Sequence, residues 1–490
     1  MATEEEVYQA ELSKWEGVLD RHTEIYSGEI SDMPLVPKHL LEDLAKKFKF
    51  VGEYIKRCEN STATALKKFK QKNIFDLIKT EIDKKHIGDD NLKMTLFLVM
   101  VSDLLKNPKL RMSMSITGGS SEGKDNIIKS ALKHIPKEAF FFFTNATQST
   151  IEDDVKDCPI LVFSEINANR EMGANKELIE VIKQRTEGGT SSIKKNLQDG
   201  MKTARHETGE QGGVIYGTTE TEANDEMRTR FINGGIKSNP ERVKRVNDNT
   251  MDTFSYADRL LKSQKVEDSW VRIGLTKIWE DSEIEAVVIP YAKYLKDEID
   301  GKYIFDCSNA RSQRDVKRIF ALTSALTYLH QLQREIVEYE DGKVLISEPQ
   351  DFIKALEVSQ EFFNQSYTGL DSRLSEVLEV MDKLPKSCSL WVARDEVEKK
   401  LGISKNTIKK YCGELSGEGL IEGCKGSNID SGNLNPNKIY YKKCDVESKD
   451  NLVKSELGKL KAHLEKMIKQ DENLLTPLKT TRNSVDKKSL

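Results

Sequence analysis

Eight consecutive residues, Gly118-Gly119-Ser120-Ser121-Glu122-Gly123-Lys124-Asp125, have the spacing GxxxxGK. Glycines at those positions let backbone N–H groups face an anion, and a helix starting at the lysine turns its positive end toward the same point. Lys124 would reach the outer phosphates of a nucleotide, with Gly118, Gly119, Ser120, Ser121, Glu122, Gly123, Asp125 and Asn126 lining the cradle. The residue after the lysine is ordinarily Ser or Thr, whose hydroxyl binds a magnesium ion. Here it is Asp125.

A second group follows at Ile160-Leu161-Val162-Phe163-Ser164-Glu165, an apolar run ending in a carboxylate. Glu165 suits the polarisation of an attacking water. The preceding position, usually an Asp that holds magnesium, is Ser164. Two readings follow. Carboxylate and hydroxyl have exchanged places, so that Asp125 and Ser164, with Glu165 beside them, still serve one ion. Alternatively Asp125 merely sits well at a helix N-terminus and the site is weakened. A third run, Val214–Tyr216, leads through Gly217 to Thr218 and Thr219, either of which could touch a terminal phosphate or the water. Arg228 and Arg230 come next. An arginine past such a strand can act on the nucleotide of a neighbouring subunit, stabilising transition-state charge.

The elements needed to position these groups can be read from the same stretch. Strand-like runs fall at 112–116, 139–143, 160–163 and 214–216, and helical patterns at 91–105, 125–134 and 174–186. Their alternation predicts an α/β fold, a parallel sheet covered by helices on both faces. Residues 1–85 read as a helical domain or arm, with the stripe Leu40, Leu41, Leu44, Ala45, Phe48. Its basic run 65–73 is either a nucleic-acid contact or a solvated helix face. Helices are expected at 253–262, 285–299, 311–336, 349–364 and 451–468, and a polar disordered tail from Thr476. The lone His206 and His330 have no partners at ligand spacing and read as structural.

With 37% hydrophobic and 32% charged residues, the chain can build ordinary cores under a polar surface. Its net charge of −4 confines any nucleic-acid contact to local patches. Seven cysteines without a CxxC pair fit a reducing compartment rather than a disulfide framework. The start of the chain lacks the pattern of a signal peptide. The longest apolar run, Met94–Val101, is far short of the roughly 20 residues of a membrane helix. A cytoplasmic protein without membrane association is the expectation.

Over roughly residues 90–370 the four groups, in this order, resemble the AAA+ ATPases, and within them the MCM-like helicases of mobile elements and viruses. Two further stretches carry the likeness. The insertion with Lys176–Arg185, Gly188–Lys195 and Met201–His206 is similar to a pre-sensor hairpin, in which Lys194, Lys195 and Lys202 would contact DNA backbone. Asn309–Leu326 resembles a sensor-2 helix, with Arg314 as its nucleotide-facing arginine and Arg311 and Arg318 as rivals. Ile319, Leu322, Ala325 and Leu326 read as its core face. The resemblance implies a core at 86–245, a helical lid at 246–370, ATP and Mg2+ as ligands, a hexameric homo-oligomer and single-stranded DNA in a central channel.

Residues 371–445 have another character. A helix ending at Gly402, a Ser404-capped helix with Lys405, Asn406, Lys409 and Lys410 facing outward, and two short strands look like a winged helix-turn-helix, with duplex DNA as a possible contact. Residues 446–490 would form a helix and tail. The function expected is ATP-driven DNA translocation or unwinding in replication. An initiator or loader switched by ATP binding is the alternative. A DNA-binding regulator with a degenerate ATPase is a third.

Overall fold

The computed structural model describes residues 3–22, 36–119, 123–143, 158–166, 174–188, 191–196, 202–207, 211–219, 225–236, 240–264, 268–307, 311–339, 342–368, 372–385, 391–417, 420–429, 434–444, 452–453 and 455–471. At its centre is a five-stranded sheet, built from β1 (Met114–Thr117), β2 (Phe140–Phe143), β3 (Ile160–Phe163), β6 (Gly213–Thr218) and β7 (Ile232–Gly235). Between β3 and β6 in the chain lie β4 (Ser191–Asn196) and β5 (Lys202–Glu207), which pair only with each other as an antiparallel hairpin. The central order is β2-β3-β6-β1-β7, with every pairing parallel.

The inner strands β3 and β6 are buried throughout because both faces are covered, whereas the edge strand β2 leaves Phe141 exposed. Alternation along each strand divides the side chains between two cores. Met114, Ile116, Ile160, Val162, Ile215 and Ile232 face a large core that includes the helices Asp90–Ser102, Lys124–Leu132 and Ser312–Leu329. Leu161, Phe163, Val214 and Tyr216 face a smaller one with Leu178, Ile179 and Ile182 of the helix Ala174–Glu187. The expected α/β architecture is therefore present. The order also puts β1 between two strands reached by crossovers, the position at whose C-terminal end ligands bind in such sheets.

The large core extends beyond the sheet. Phe69, Ile74, Phe75, Ile78 and Ile82 of the N-terminal helices belong to it, and so do Leu460 and Leu464 of the helix Leu457–Gln470. Phe69 is fully buried within the basic run 65–73, while Lys68 lies 4.5 Å over the Trp270 ring. The Leu40 stripe forms a separate small cluster with Leu44, Phe48 and Val51.

One expected helix is corrected. Residues 285–299 hold a strand, Ile284–Val288, then a 3-10 turn, Pro290–Lys296. The β-branched run Val287-Val288-Ile289 favours strand, and it pairs in parallel with Gly342–Ile346. Pro290 ends it. The expected helix 311–336 likewise stops at Leu329, and Ile336–Tyr339 pairs antiparallel with Gly342–Ile346. Ile319, Leu322, Ala325 and Leu326 are fully buried, as their spacing implied.

Residues 372–443 pack around their own core of Val377, Val392, Val397, Ile408, Cys412, Leu415 and Ile421. Three helices, Ser372–Lys383, Arg394–Leu401 and Lys405–Gly417, stand on a three-stranded antiparallel sheet. Gly402, at φ +67°, closes the second helix in the left-handed conformation that glycine adopts freely. The Ser404 hydroxyl accepts from Thr407 N at 3.2 Å, capping the third helix. No helix among the described residues is long and apolar enough to cross a membrane. The tail from Thr476 lies outside the described residues.

Candidate functional site

The site forms where the C-terminal ends of β1, β3 and β6 meet. Gly123, at φ +90°, allows the chain to turn from the loop into the helix Lys124–Leu132. Ser120, Ser121 and Glu122 lie outside the described residues. Lys124 is buried, and its ammonium donates to the Gly118 carbonyl at 2.8 Å and to that of Gly119 at 3.5 Å. It is thus held within the loop whose amides would hold phosphates. The Gly118 amide in turn donates to Thr218 O at 3.1 Å, tying the loop's start to β6.

Asp125 lies in the first turn of the helix and Ser164 directly follows β3, and the two meet. Ser164 Oγ lies 3.1 Å from both carboxylate oxygens of Asp125. A hydroxyl and a carboxylate side by side, with Glu165 adjoining, are hard oxygen donors of the kind magnesium takes. Among the described residues no group of three or more His, Cys, Asp or Glu is arranged to hold a metal. Magnesium binds commonly through one or two protein groups plus substrate phosphates, and the Asp125–Ser164 pair supplies such groups. The residues therefore fit the implied ion.

Glu165 is exposed and accepts a hydrogen bond from the Thr219 hydroxyl at 3.2 Å. Thr218 is buried, so of the two threonines it is Thr219 that reaches Glu165. The close approach of β3 and β6 depends on Gly217. A Cβ there would stand 2.6 Å from Ser164 O, nearer than real Cβ contacts come. That glycine within an apolar strand was a legible sign of tight backbone contact.

The exposed Asn126 touches a buried group, His86, Asp89 and Arg242, that the motifs do not point to. Its amide nitrogen lies 3.2 Å from Lys85 O and from His86 Nδ1. His86 Nε2 is 2.9 Å from Asp89, which also pairs with Arg242 at 3.0 Å. Arg242 comes close to the phosphate loop, its guanidinium 3.7 Å from where a Gly123 Cβ would be. No motif spacing links residues 86, 89, 126 and 242, so only the fold reveals them.

The arginines gather elsewhere. A cavity at the N-terminal edge of the sheet, beside Met112 and Gly212, is lined by Lys109, Arg111, Arg230, Arg314, Lys317 and Arg318. Arg230 pairs with Glu187 at 2.9 Å. Arg311 and Arg318 both bind the buried Asp315, at 3.2 and 2.8 Å, and Arg318 also donates to Thr229 O. Arg314 is exposed to solvent. The full length of β1 separates this cluster from Lys124, so these arginines do not reach the phosphate loop of their own chain. The Arg228 side chain lies outside the described residues.

Residues 59–279 match the family described as the MTBMA_p00010 P-loop domain. The chain carries a P-loop domain. The match spans the phosphate loop, Ser164, Glu165, Thr218, Thr219 and Arg230, and ends before Arg314. Within the matched residues lie the elements that phosphate chemistry requires: the turn at Gly123, the buried Lys124 and the carboxylate Glu165 after the neighbouring strand. No match was found among curated proteins.

The candidate DNA contacts divide. Lys194, Lys195 and Lys202 lie on the hairpin, where Asn196 pairs with Lys202 and Lys195 with Thr203, but their side chains are outside the described residues. Lys405, Asn406, Lys409 and Lys410 are all exposed on the helix Lys405–Gly417. His330 is buried, its Nδ1 2.9 Å from Leu326 O and 3.6 Å from Asp351, a position that needs no ligand. The His206 side chain lies outside the described residues.

Proposed function

We propose that the chain is an ATP-dependent DNA translocase or helicase that works as a ring, with nucleotide held between neighbouring copies. The observation that carries this reading is the division of one site between opposite edges of the sheet. Lys124, Asp125, Ser164, Glu165 and Thr219 stand at one edge, and Arg230 and Arg314 at the other. On this reading a second copy brings those arginines to the phosphate chain. Lys124 and the loop amides hold the phosphates. Glu165, oriented by Thr219, takes the proton of the attacking water, and Arg230 or Arg228 with Arg314 balances charge developing on the transferred phosphoryl group. Asp125 and Ser164 would hold a magnesium ion, whose contribution when bound is to neutralise phosphate charge.

DNA as partner is supported by the exposed Lys405, Asn406, Lys409 and Lys410 on the helix Lys405–Gly417, which packs with two further helices on a three-stranded antiparallel sheet, an arrangement similar to a winged helix-turn-helix. The hairpin of β4 and β5 supplies lysines suited to backbone phosphates. Six copies in a ring is the assembly proposed. A second reading, an initiator or loader switched by ATP binding, draws on Asp125. A carboxylate beside the phosphates repels them, which favours slow turnover. Steady-state ATP hydrolysis with and without single-stranded DNA separates the readings. Stimulation by DNA supports translocation, slow unstimulated turnover supports the switch, and no turnover with intact binding rejects both catalytic readings.

A further inference from the structure

We propose that the two-helix arm Pro240–Ser255 and Ala257–Gln264 is a clasp that seats a second copy of this chain over the phosphate loop, an inference that rests on the shared-site reading above. None of the arm's residues belongs to the large core or to the smaller one across the sheet. Every residue from Val243 to Asp252 is exposed, yet six large apolar side chains lie within the arm: Val243, Val246, Met251, Phe254, Tyr256 and Leu261. Phe254 is 72% exposed and Leu261 61%. Val243, Val246 and Phe254 fall on one face of the first helix by their spacing, while Arg245, Asp248 and Asp252 fall on the other. A concentrated apolar face of this kind marks an interaction surface.

Two observations select the occupant. The root of the arm is fixed beside the phosphate loop, since buried Arg242 binds Asp89 and the Ile87 carbonyl and approaches Gly123. A copy presenting Arg230 and Arg314 to that loop must come to rest next to the arm. The distal half of the arm carries the exposed acids Asp248 and Asp258, with Asp252 paired to Arg259 at 2.8 Å, whereas the sheet edge that would arrive carries Lys109, Arg314 and Lys317. The acids of the first helix, on the face away from Val243, Val246 and Phe254, only steer the approach at longer range, and the apolar side chains supply the anchoring.

The test uses the full chain with magnesium and a non-hydrolysable ATP analogue, with particle mass read by light scattering. The Phe254→Asp, Leu261→Asp double variant is expected to weaken association roughly 30-fold or more, the loss of a buried anchor. It should run as the 55.7 kDa single chain while still binding the analogue. Its melting temperature should match the parent's, because both side chains are exposed. A photo-crosslinker at position 254 should join two copies in the parent assembly, a readout independent of the double variant's folding. Assembly of the double variant at parental affinity, or cross-links formed only within one chain, overturns the clasp and leaves the shared-site reading standing. A parent chain that remains at 55.7 kDa with the analogue present overturns both.

Discussion

Ser164 Oγ and the Asp125 carboxylate are within 3.1 Å of each other, across the gap between the end of β3 and the start of the phosphate-loop helix. In the ordinary arrangement the hydroxyl follows the lysine and the carboxylate ends the strand. Here each stands in the other's place, and the pair is kept. The contact also stabilises the loop without a ligand, because an exposed Asp at a helix N-terminus gains from the helix dipole and from a hydroxyl donor.

If the pair serves one ion, the two positions must be coupled. Asp125→Ala should weaken magnesium-dependent ATP binding about 10–100-fold. The double variant Asp125→Ser, Ser164→Asp should recover most of that loss, with a coupling of about 1–3 kcal/mol in a double-mutant cycle. Calorimetric titration with and without magnesium measures it. Additive effects of the two single changes would mean that the residues act separately.

Glu165 and Thr219 form the hydrolytic half of the site. Glu165→Gln should preserve ATP binding and lower turnover about 100-fold or more, the usual contribution of a general base. Thr219→Val removes one hydrogen bond to a charged group, worth about 1.5–3 kcal/mol, so turnover should fall about tenfold or more. Phosphate release under saturating ATP reads both. Unchanged turnover in Glu165→Gln would assign the water's activation to another group.

Gly217 is a packing requirement rather than a chemical one. Its Cβ would meet Ser164 O at 2.6 Å, between two strands that cannot separate without moving the site. Gly217→Ala should cost about 1–3 kcal/mol of stability and lower turnover as well, since Ser164 and Glu165 follow directly. Denaturant unfolding checks the first part. A fully stable variant would show that β3 and β6 tolerate more separation than their packing suggests.

His134 gives the fold a pH dependence. It is buried, with Nδ1 2.6 Å from Ser269 Oγ, and burial pushes its pKa down to about 4. The unfolded chain takes up a proton near pH 6.5 while the folded chain does not, so stability declines as pH falls from about 6.5 toward 4. The full contribution is about 3 kcal/mol, and it no longer changes below the folded value. Unfolding midpoints of the parent and His134→Gln, compared across that window, isolate it. Parallel pH profiles would exclude His134 as the cause.

The strands and the phosphate loop were legible because local rules and tertiary packing agree there. Apolar runs such as Ile160–Phe163 are buried on both faces, and the glycine-lysine spacing has a geometric meaning of its own. The run 285–299 misled because its charged and apolar residues also satisfy a helical period, and the β-branched Val287-Val288-Ile289 decides for strand only together with its pairing to Gly342–Ile346. The His86, Asp89, Asn126 and Arg242 group was invisible because its members come from three separate segments and touch only after folding. The separation of Arg314 from Lys124 is likewise a property of the sheet, since sequence order does not say at which edge a helix begins.

The most direct test of the account is equilibrium binding of magnesium-ATP to the full chain and to Lys124→Ala. Lys124 is buried and points into the loop between the Gly118 and Gly119 carbonyls, so a bound phosphate chain would take it as a partner. Saturable binding by the parent and a loss of about 30-fold or more in the variant are expected, with the variant still folded without nucleotide by circular dichroism. Equal binding by the two proteins, or none by the parent, would contradict it.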